Sequence, residues 1–380
     1  MSLKRLTYGV GCLLLVLGIY GFVTRLFVGE RDVNCGSYVV WGLLVSMYLF
    51  FAGLSTGSYM MATLEYLFGI RLFKGTGKVC LWASLVTMPA ALTTIGMDLG
   101  HMERIWRVYL MPNFGSLMAQ MVWGYTLFIP VTLVSMYLVF RKPDSPWTKP
   151  FFAFGLLLAI WLSGGVGALL GVNASRLFWH VGLLPVQFPV FSLASGAAFL
   201  MLVLGWFSPK TNDDRIPHQL WVLGLATVGL TLIKVYFLWA DFSQSIYGDV
   251  PDNVRAVNEV LYGTYWWVFW FLQIGLGTAL PVIVLLQPRV AKNGGWAGAM
   301  GFLVLFGFAV ARANIVLPAL TVPELAGLVT AFTGPHLGFD YFPSLMEWSI
   351  VLGVTGGTTL AFLIGNDLLS YLGLYEETKS

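Results

Sequence analysis

The feature that most constrains this chain is a repeated apolar run. Ten such stretches, each about twenty residues or longer, are separated by short polar connections. They lie near 7–27, 38–66, 79–100, 116–140, 150–171, 182–206, 217–241, 264–287, 297–317 and 346–372. About 20 apolar residues cross the hydrocarbon core of a bilayer as helix. An isolated segment in lipid has to satisfy its own backbone hydrogen bonds, so helix is the conformation expected of every run. The expected fold class is all-α integral membrane: about ten transmembrane helices forming a single polytopic domain over 1–380. Apolar types at 58% and charged types at 10% agree with this, since soluble chains sit near 45–50% and 25%. A net charge of +3 with no basic tract gives nucleic acid nothing to bind.

Lysine and arginine set the expected orientation, because cytoplasmic loops carry their excess. Thirteen of the 21 fall on the side that holds the N-terminus, Lys4, Arg5, Lys74, Lys142, Lys210 and Lys379 among them. Six fall on the opposite side, and Lys234 and Arg312 lie within spans. Both termini are expected to be cytoplasmic, in a multi-pass protein of the cell membrane. The first run, after Lys4 and Arg5, resembles a signal peptide. It is long enough to span and is followed by no small-residue cleavage site, so it is expected to be a retained helix. The opposite, outer side carries 11 of the 18 acids and the longer loops, and functional surface is expected there. Tryptophans near span ends, such as Trp41, Trp106, Trp147, Trp179, Trp206 and Trp348, are the residues of an interfacial belt.

Two spans share a motif. Leu54-Ser55-Thr56-Gly57-Ser58 and Leu193-Ala194-Ser195-Gly196-Ala197 both read L-[SA]-[ST]-G-[SA]. One reading is a parallel repeat of two four-helix units, spans 2–5 (38–171) and 6–9 (182–317), with spans 1 and 10 added. The other is that small residues simply let helices pack closely.

Ionisable groups in a span are costly and by default mark function. The first cluster closes span 3: Asp98, His101, Glu103, Arg104, Trp106, Arg107. If the helix continues, Asp98 and His101 share a face, and Glu103 and Arg107 can pair on another. Asp98 is suited to proton exchange and His101 to assist it; the alternative is a salt-bridge cluster that fixes the helix end. The second cluster, Arg176, Trp179 and His180, can bond a carbonyl and stack on a flat ring, or else anchor a loop at the interface. Deeper charges are Lys234 and Asp241 on span 7 and Arg312 on span 9, with Glu347 opening span 10 at the outer face and Glu65 and Asp367 toward the inner ends. Glu65, Lys234, Asp241, Arg312 and Asp367 either bracket a proton path or form separate structural pairs.

The four histidines lie in loops or at span ends, which argues against a bis-histidine haem. Cys12, Cys35 and Cys80 form no CxxC pair and are too few for an iron–sulfur cluster, and no metal site is expected.

The run Trp41-Gly42-Leu43 through Tyr48-Leu49-Phe50-Phe51-Ala52-Gly53-Leu54-Ser55-Thr56-Gly57-Ser58 resembles the second-helix signature of the NrfD/PsrC family, the membrane subunits of polysulfide-reductase-type complexes. Asp98-Leu99-Gly100-His101-Met102-Glu103-Arg104-Ile105-Trp106 resembles its D-L-G-x-x-x-R-x-W motif, with His101 where a longer cation is common. Pro112-x-x-Gly115-Ser116-x-Met118 and Trp123-Gly124 also fit. Ten spans resemble the longer subgroup of this family. The Arg176–His180 segment and Pro343-Ser344-x-x-Glu347-Trp348 lean toward its DsrP type, in sulfite-reductase-linked DsrMKJOP complexes.

The resemblance implies a subunit that holds a quinone, of menaquinone type, near the outer surface. There it would exchange electrons with an extracytoplasmic iron–sulfur subunit of a respiratory complex, without a redox metal of its own. Asp98 and His101 would be the proton-exchanging pair. Arg104, Trp106, Tyr125, Arg176, Trp179, His180 and Glu347 would bind the quinone. A secondary transporter using Lys234, Arg312 and Glu65, or a passive anchor for an outer complex, are the competing functions.

Overall fold

The computed structural model describes residues 3–208, 215–325, 327–332, 334 and 336–371. Lys210 and Lys379 of the charge count lie outside the described residues. Ten helices among the described residues are long and apolar enough to cross a membrane. They are α1 (Leu3–Val28), α2 (Leu43–Tyr66), α3 (Gly77–Asp98), α4 (Leu117–Arg141), α5 (Thr148–Gly171), α6 (Leu184–Phe207), α7 (Arg215–Tyr247), α9 (Val268–Leu285), α10 (Gly294–Thr321) and α11 (Leu345–Tyr371). The protein is an all-α, multi-pass integral membrane protein, as the apolar runs require.

Three details depart from the sequence reading. α2 starts at Leu43 rather than near 38, because the Tyr341 hydroxyl accepts the Leu43 N–H and takes the place of a helical partner. α7 runs 33 residues, roughly 50 Å at helical rise, and so overshoots the hydrocarbon core. It leads into α8 (Pro251–Tyr262), an amphipathic helix whose Ala256, Val257 and Val260 are buried. α9 is π-helical over Val268–Ala279 before reverting to α-helix. The Thr278 hydroxyl donates to the Gln273 carbonyl five residues back, at 2.8 Å.

α2 is the central helix and is nearly all buried. In the first half of the chain α2 packs on α3 and α5, and α4 bridges α3 and α5. In the second half α10 packs on α6 and α9, and α7 lies against α6 and α9. The halves meet where α6 crosses α2, with α5 and α10 flanking the seam. The two L-[SA]-[ST]-G-[SA] motifs face each other at that crossing. A Cβ on Gly57 would collide with the Ser192 carbonyl, and one on Gly196 with the Gly57 carbonyl. Without a hydrophobic force between helices in lipid, such backbone approach is what holds them together.

α1 and α11 form a pair beside α3. Gly18 sits against Gly353, and Ser349 inserts its hydroxyl into the α1 ladder. That hydroxyl accepts the Gly21 N–H at 2.9 Å and donates to the Leu17 carbonyl at 2.5 Å. At the N-terminal face Asp367 pairs with Lys4 and accepts the Tyr8 hydroxyl at 2.9 Å. On the same face Glu65 receives the Gly75 and Gly77 N–H groups, both at 2.8 Å, and so caps the start of α3.

Candidate functional site

α3 ends at Asp98 because its C-terminus is taken over by α1. The last carbonyls of a helix lack intrahelical partners. Arg25, 3% exposed at the end of α1, donates to the Met97 carbonyl at 2.6 Å and to the Leu99 carbonyl at 2.7 Å. A cation there also favours the negative end of the helix dipole. Leu99 turns to extended geometry, so the helix does not continue and His101 does not share a face with Asp98. That corrects the expected Asp98–His101 juxtaposition.

Beside this cap lies a cavity of about 230 Å³, on the face opposite the N-terminus. Arg25, Glu30, Cys35 and Asp98 supply its polar lining, and Val33, Val40, Leu44 and Met97 its apolar walls. Glu30 reaches Arg25 at 3.3 Å and is half exposed, which gives the cavity a polar connection to the surface. The Asp98 carboxyl has no hydrogen-bond partner among the described residues.

Glu347 stands behind Cys35. It is fully buried and heavily bonded. The Tyr341 hydroxyl donates to it at 2.5 Å, the Ser344 N–H at 2.8 Å, the Asn34 N–H at 3.3 Å, and the Cys35 Sγ lies 3.9 Å away. Burial, then the carboxylates of Glu347 and Asp98, push the Cys35 thiol above its ordinary range. Burial and then Glu347 do the same to the Tyr341 phenol. Both groups therefore stay protonated and serve as donors.

Of the residues singled out in the sequence, Asp98 and Glu347 come together here, with Cys35 between them. His101 and Arg104 lie outside the cavity; each is more than half exposed, and each is an ion-pair partner of Glu103. Trp106 is exposed, with Arg107 over its ring at 5.6 Å. Arg25, Glu30, Cys35 and Tyr341 escaped the sequence reading. The one signal for Arg25 was a lone cation in the last turn of an apolar run.

The second cluster is a clamp on the end of α10. Arg176 donates to the carbonyls of Ala319 and Val322, both at 3.0 Å, and to that of Tyr38 at 3.3 Å, and it pairs with Glu324 at 2.8 Å. Trp179 is 2% exposed, stacks on Trp41 and donates to the Ile315 carbonyl at 2.7 Å, so it is a core residue rather than part of a belt. His180 is exposed and bonds the Gly171 carbonyl at the end of α5.

Trp179 also lines a second cavity, of about 40 Å³, between α6, α7, α9 and α10, with Val260 of α8 at its edge. Lys234, Asp241, Gln187, Ser245, Gln273 and Asn314 are its polar groups. Lys234, 1% exposed, donates to the Thr278 hydroxyl at 3.0 Å and lies over the Phe308 ring. Asp241 accepts from Gln187 at 2.5 Å, and Asn314 donates to Gln273 at 2.6 Å. The space suits a few waters. Tyr125 and Arg312 line a third, smaller cavity at the α2–α6 crossing, where the Tyr125 and Tyr48 hydroxyls are 2.7 Å apart.

A family model described as polysulphide reductase, NrfD, matches residues 33–324. The sequence is 29% identical to the C subunit of selenate reductase from Mesobacillus selenatarsenatis, over 99% of this protein and 96% of that one. It is 24% identical to the Hdr-like menaquinol oxidoreductase integral membrane subunit of Archaeoglobus fulgidus, over 94% and 90% of the two proteins. It is also 24% identical to the protein NrfD of Escherichia coli, over 68% and 87%. With the family model covering about three quarters of its length, ten membrane-crossing helices and the D-L-G turn at Asp98 in place, the chain belongs to the NrfD polysulphide reductase family.

Proposed function

We propose that this chain is the quinone-handling membrane subunit of an oxidoreductase complex, and that the cavity beside Asp98 receives the quinone headgroup. The observation that carries the reading is that cavity itself: a carboxyl without a hydrogen-bond partner, a buried guanidinium and a half-exposed carboxylate, set in apolar walls. Its donor set suits the group. A quinone ring needs an apolar slot, a donor at a carbonyl and a group that exchanges protons. At about 230 Å³ the space suits a headgroup, while the isoprenoid tail stays in lipid; sites that enclose a whole ligand run to roughly 300–1,000 Å³.

When bound, the quinone supplies two-electron, two-proton chemistry. Asp98 exchanges the proton at the ring oxygen, and Glu30, at the polar edge, passes it to water. Arg25 fixes the end of α3 and so the position of Asp98. Burial, and then Glu347, held by Tyr341 and Ser344, keep Cys35 protonated against the cavity. Lys234 and Asp241 share a water-sized cavity, which supports a second proton-exchanging pair in the other half of the chain.

The lysine and arginine bias supports cytoplasmic termini in the cell membrane, and with them an extracytoplasmic Asp98 cavity. The loop after α3 presents Ile105, Trp106, Leu110, Met111 and Phe114 exposed on that same face. An apolar patch of this kind suits a covering subunit, and an iron–sulfur protein there would be the electron partner. The menaquinol oxidoreductase subunit among the relatives favours a menaquinone.

The test is Asp98→Asn in the assembled complex. Turnover with quinol is expected to fall by roughly a hundredfold, the usual scale for losing a positioned proton-transfer group, with assembly unchanged. Unchanged turnover in an assembled complex overturns the assignment. Organic extraction of the purified complex identifies the quinone.

A further inference from the structure

The core of the α2–α6 crossing contains a cation that nothing in the described residues neutralises. Arg312 is 2% exposed and forms no salt bridge with any described residue. Its Nη1 is buried without a hydrogen-bond partner. What surrounds the guanidinium is aromatic: its carbon lies 3.9 Å from the Phe188 ring centroid and 5.4 Å from that of Phe191. Phe191 packs in turn on Phe308, which carries Lys234 over its ring at 4.9 Å. Two buried cations thus sit on either side of one aromatic pair. Asp241, the carboxylate that shares a cavity with Lys234, is taken by Gln187.

Arg312 borders a small space of about 10 Å³ whose hydroxyl-bearing lining residues are Thr56, Ser163, Ser192 and Tyr125. That is about the room one water-sized sphere needs. Its lining carries four hydroxyls beside the guanidinium. Ser163 and Ser192 share one hydrogen bond at 2.6 Å, and Tyr48 and Tyr125 share one at 2.7 Å, so each pair has a second hydroxyl proton left over. The Thr56 proton goes to the Ala52 carbonyl. A full charge in a low-dielectric interior requires a counter-charge or a strong acceptor, and aromatic faces offset only part of its desolvation.

We propose that this cavity is a binding site for a monatomic anion of the halide class, held by Arg312 and by the spare hydroxyl protons of the serine and tyrosine pairs. The anion neutralises the seam between the two halves of the bundle and stabilises the crossing at Gly57 and Gly196. The site is independent of the quinone reading and of turnover.

The full-length protein, purified in chloride or bromide and exchanged into gluconate, tests it. Denaturation is expected to release about one halide per molecule, read by ion chromatography. The thermal midpoint is expected to rise saturably when chloride is returned at constant ionic strength. Arg312→Gln is expected to lose both the released halide and the chloride-dependent rise, while Arg312→Lys, which keeps the charge, retains halide. Release of no halide above the buffer blank, together with identical midpoints in chloride and gluconate, overturns the proposal and leaves a single water as the occupant. So does halide binding that persists unchanged in Arg312→Gln. If Arg312→Gln fails to fold, the wild-type release and midpoint measurements decide alone.

Discussion

Arg25 and Asp98 line the same cavity but form no salt bridge. The guanidinium donates instead to the carbonyls of Met97 and Leu99, at 2.6 and 2.7 Å, and reaches Glu30 at 3.3 Å. Arg25 is thus a helix cap whose charge happens to face the cavity, and Asp98 is left without a hydrogen-bond partner there. Arg25→Met removes two charge-assisted hydrogen bonds and leaves the end of α3 uncapped. Destabilisation on the order of 3 kcal/mol is expected, read as a lowered thermal midpoint in detergent, with turnover falling alongside. Asp98→Asn is expected to leave the midpoint near wild type. Equal midpoint losses in the two variants would refute this division of roles.

Tyr341 ties the start of α2 to the segment that opens α11, because it accepts the Leu43 N–H at 2.7 Å and donates to Glu347 at 2.5 Å. Tyr341→Phe leaves the first N–H of α2 without its partner and removes one of several donors to the buried Glu347 carboxyl. A loss of about 1–3 kcal/mol is expected for the unsatisfied N–H, measurable as a drop in thermal midpoint larger than that of an exposed control such as Tyr247→Phe. A midpoint indistinguishable from wild type would show that the N-terminus of α2 is held by something else.

Cys35 offers a pH readout of the same cluster. Burial and the charges of Glu347 and Asp98 raise its thiol pKa, and the thiolate is the form that reacts with maleimide or disulfide reagents. Labelling of Cys35 in a variant lacking Cys12 and Cys80 is expected to be slow at pH 8 and to accelerate only as the pH rises further. Glu347→Gln removes one of the charges that oppose thiolate formation, so the labelling profile is expected to move to lower pH. A profile that stays in place, or moves upward, contradicts the electrostatic account.

The spans were legible in the sequence because lipid forces each apolar run to close its own hydrogen bonds, so length and composition decide the conformation locally. Asp98 was legible for a related reason, as an acid ending such a run. Its surroundings were not. Arg25 caps a carbonyl 72 positions along the chain, and Asn34 meets Glu347 across 313 positions. Spacing carries no record of such contacts. The continuation of α3 to His101 failed because a tertiary cap ends the helix at Asp98. The π-helical start of α9 has no apolar period of its own to announce it. The belt reading of Trp179 failed because α10 offers its indole a carbonyl partner in the core.

Gly57 and Gly229 are both helical glycines, yet substitution is expected to act on them in opposite directions. A Cβ on Gly57 meets the Ser192 backbone, whereas one on Gly229 meets nothing within 4 Å. Gly57→Ala is expected to lower the thermal midpoint and the yield of folded protein by forcing α2 and α6 apart. Gly229→Ala is expected to raise the midpoint slightly, since alanine is favoured over glycine in a helix by about 1 kcal/mol. Two equal and small effects would mean that the crossing is looser than the contact distances state.

Arg176 and His180 are close to Trp179 in the sequence and were both candidates for holding a quinone, but their surroundings differ in a way that experiment can separate. Arg176 gives its guanidinium to three carbonyls and Glu324, with burial lowering its pKa and Glu324 opposing that shift. A lysine cannot reproduce that fork, because its ammonium is a single point on a flexible stem. Arg176→Lys is therefore expected to loosen the end of α10 and lower the thermal midpoint. The Michaelis constant for quinol is expected to stay unchanged, because the Asp98 cavity includes none of these groups. His180→Ala removes one exposed bond to the Gly171 carbonyl and is expected to alter neither quantity measurably. A raised Michaelis constant at a normal midpoint in either variant would return these residues to the quinone site and move the headgroup toward α10.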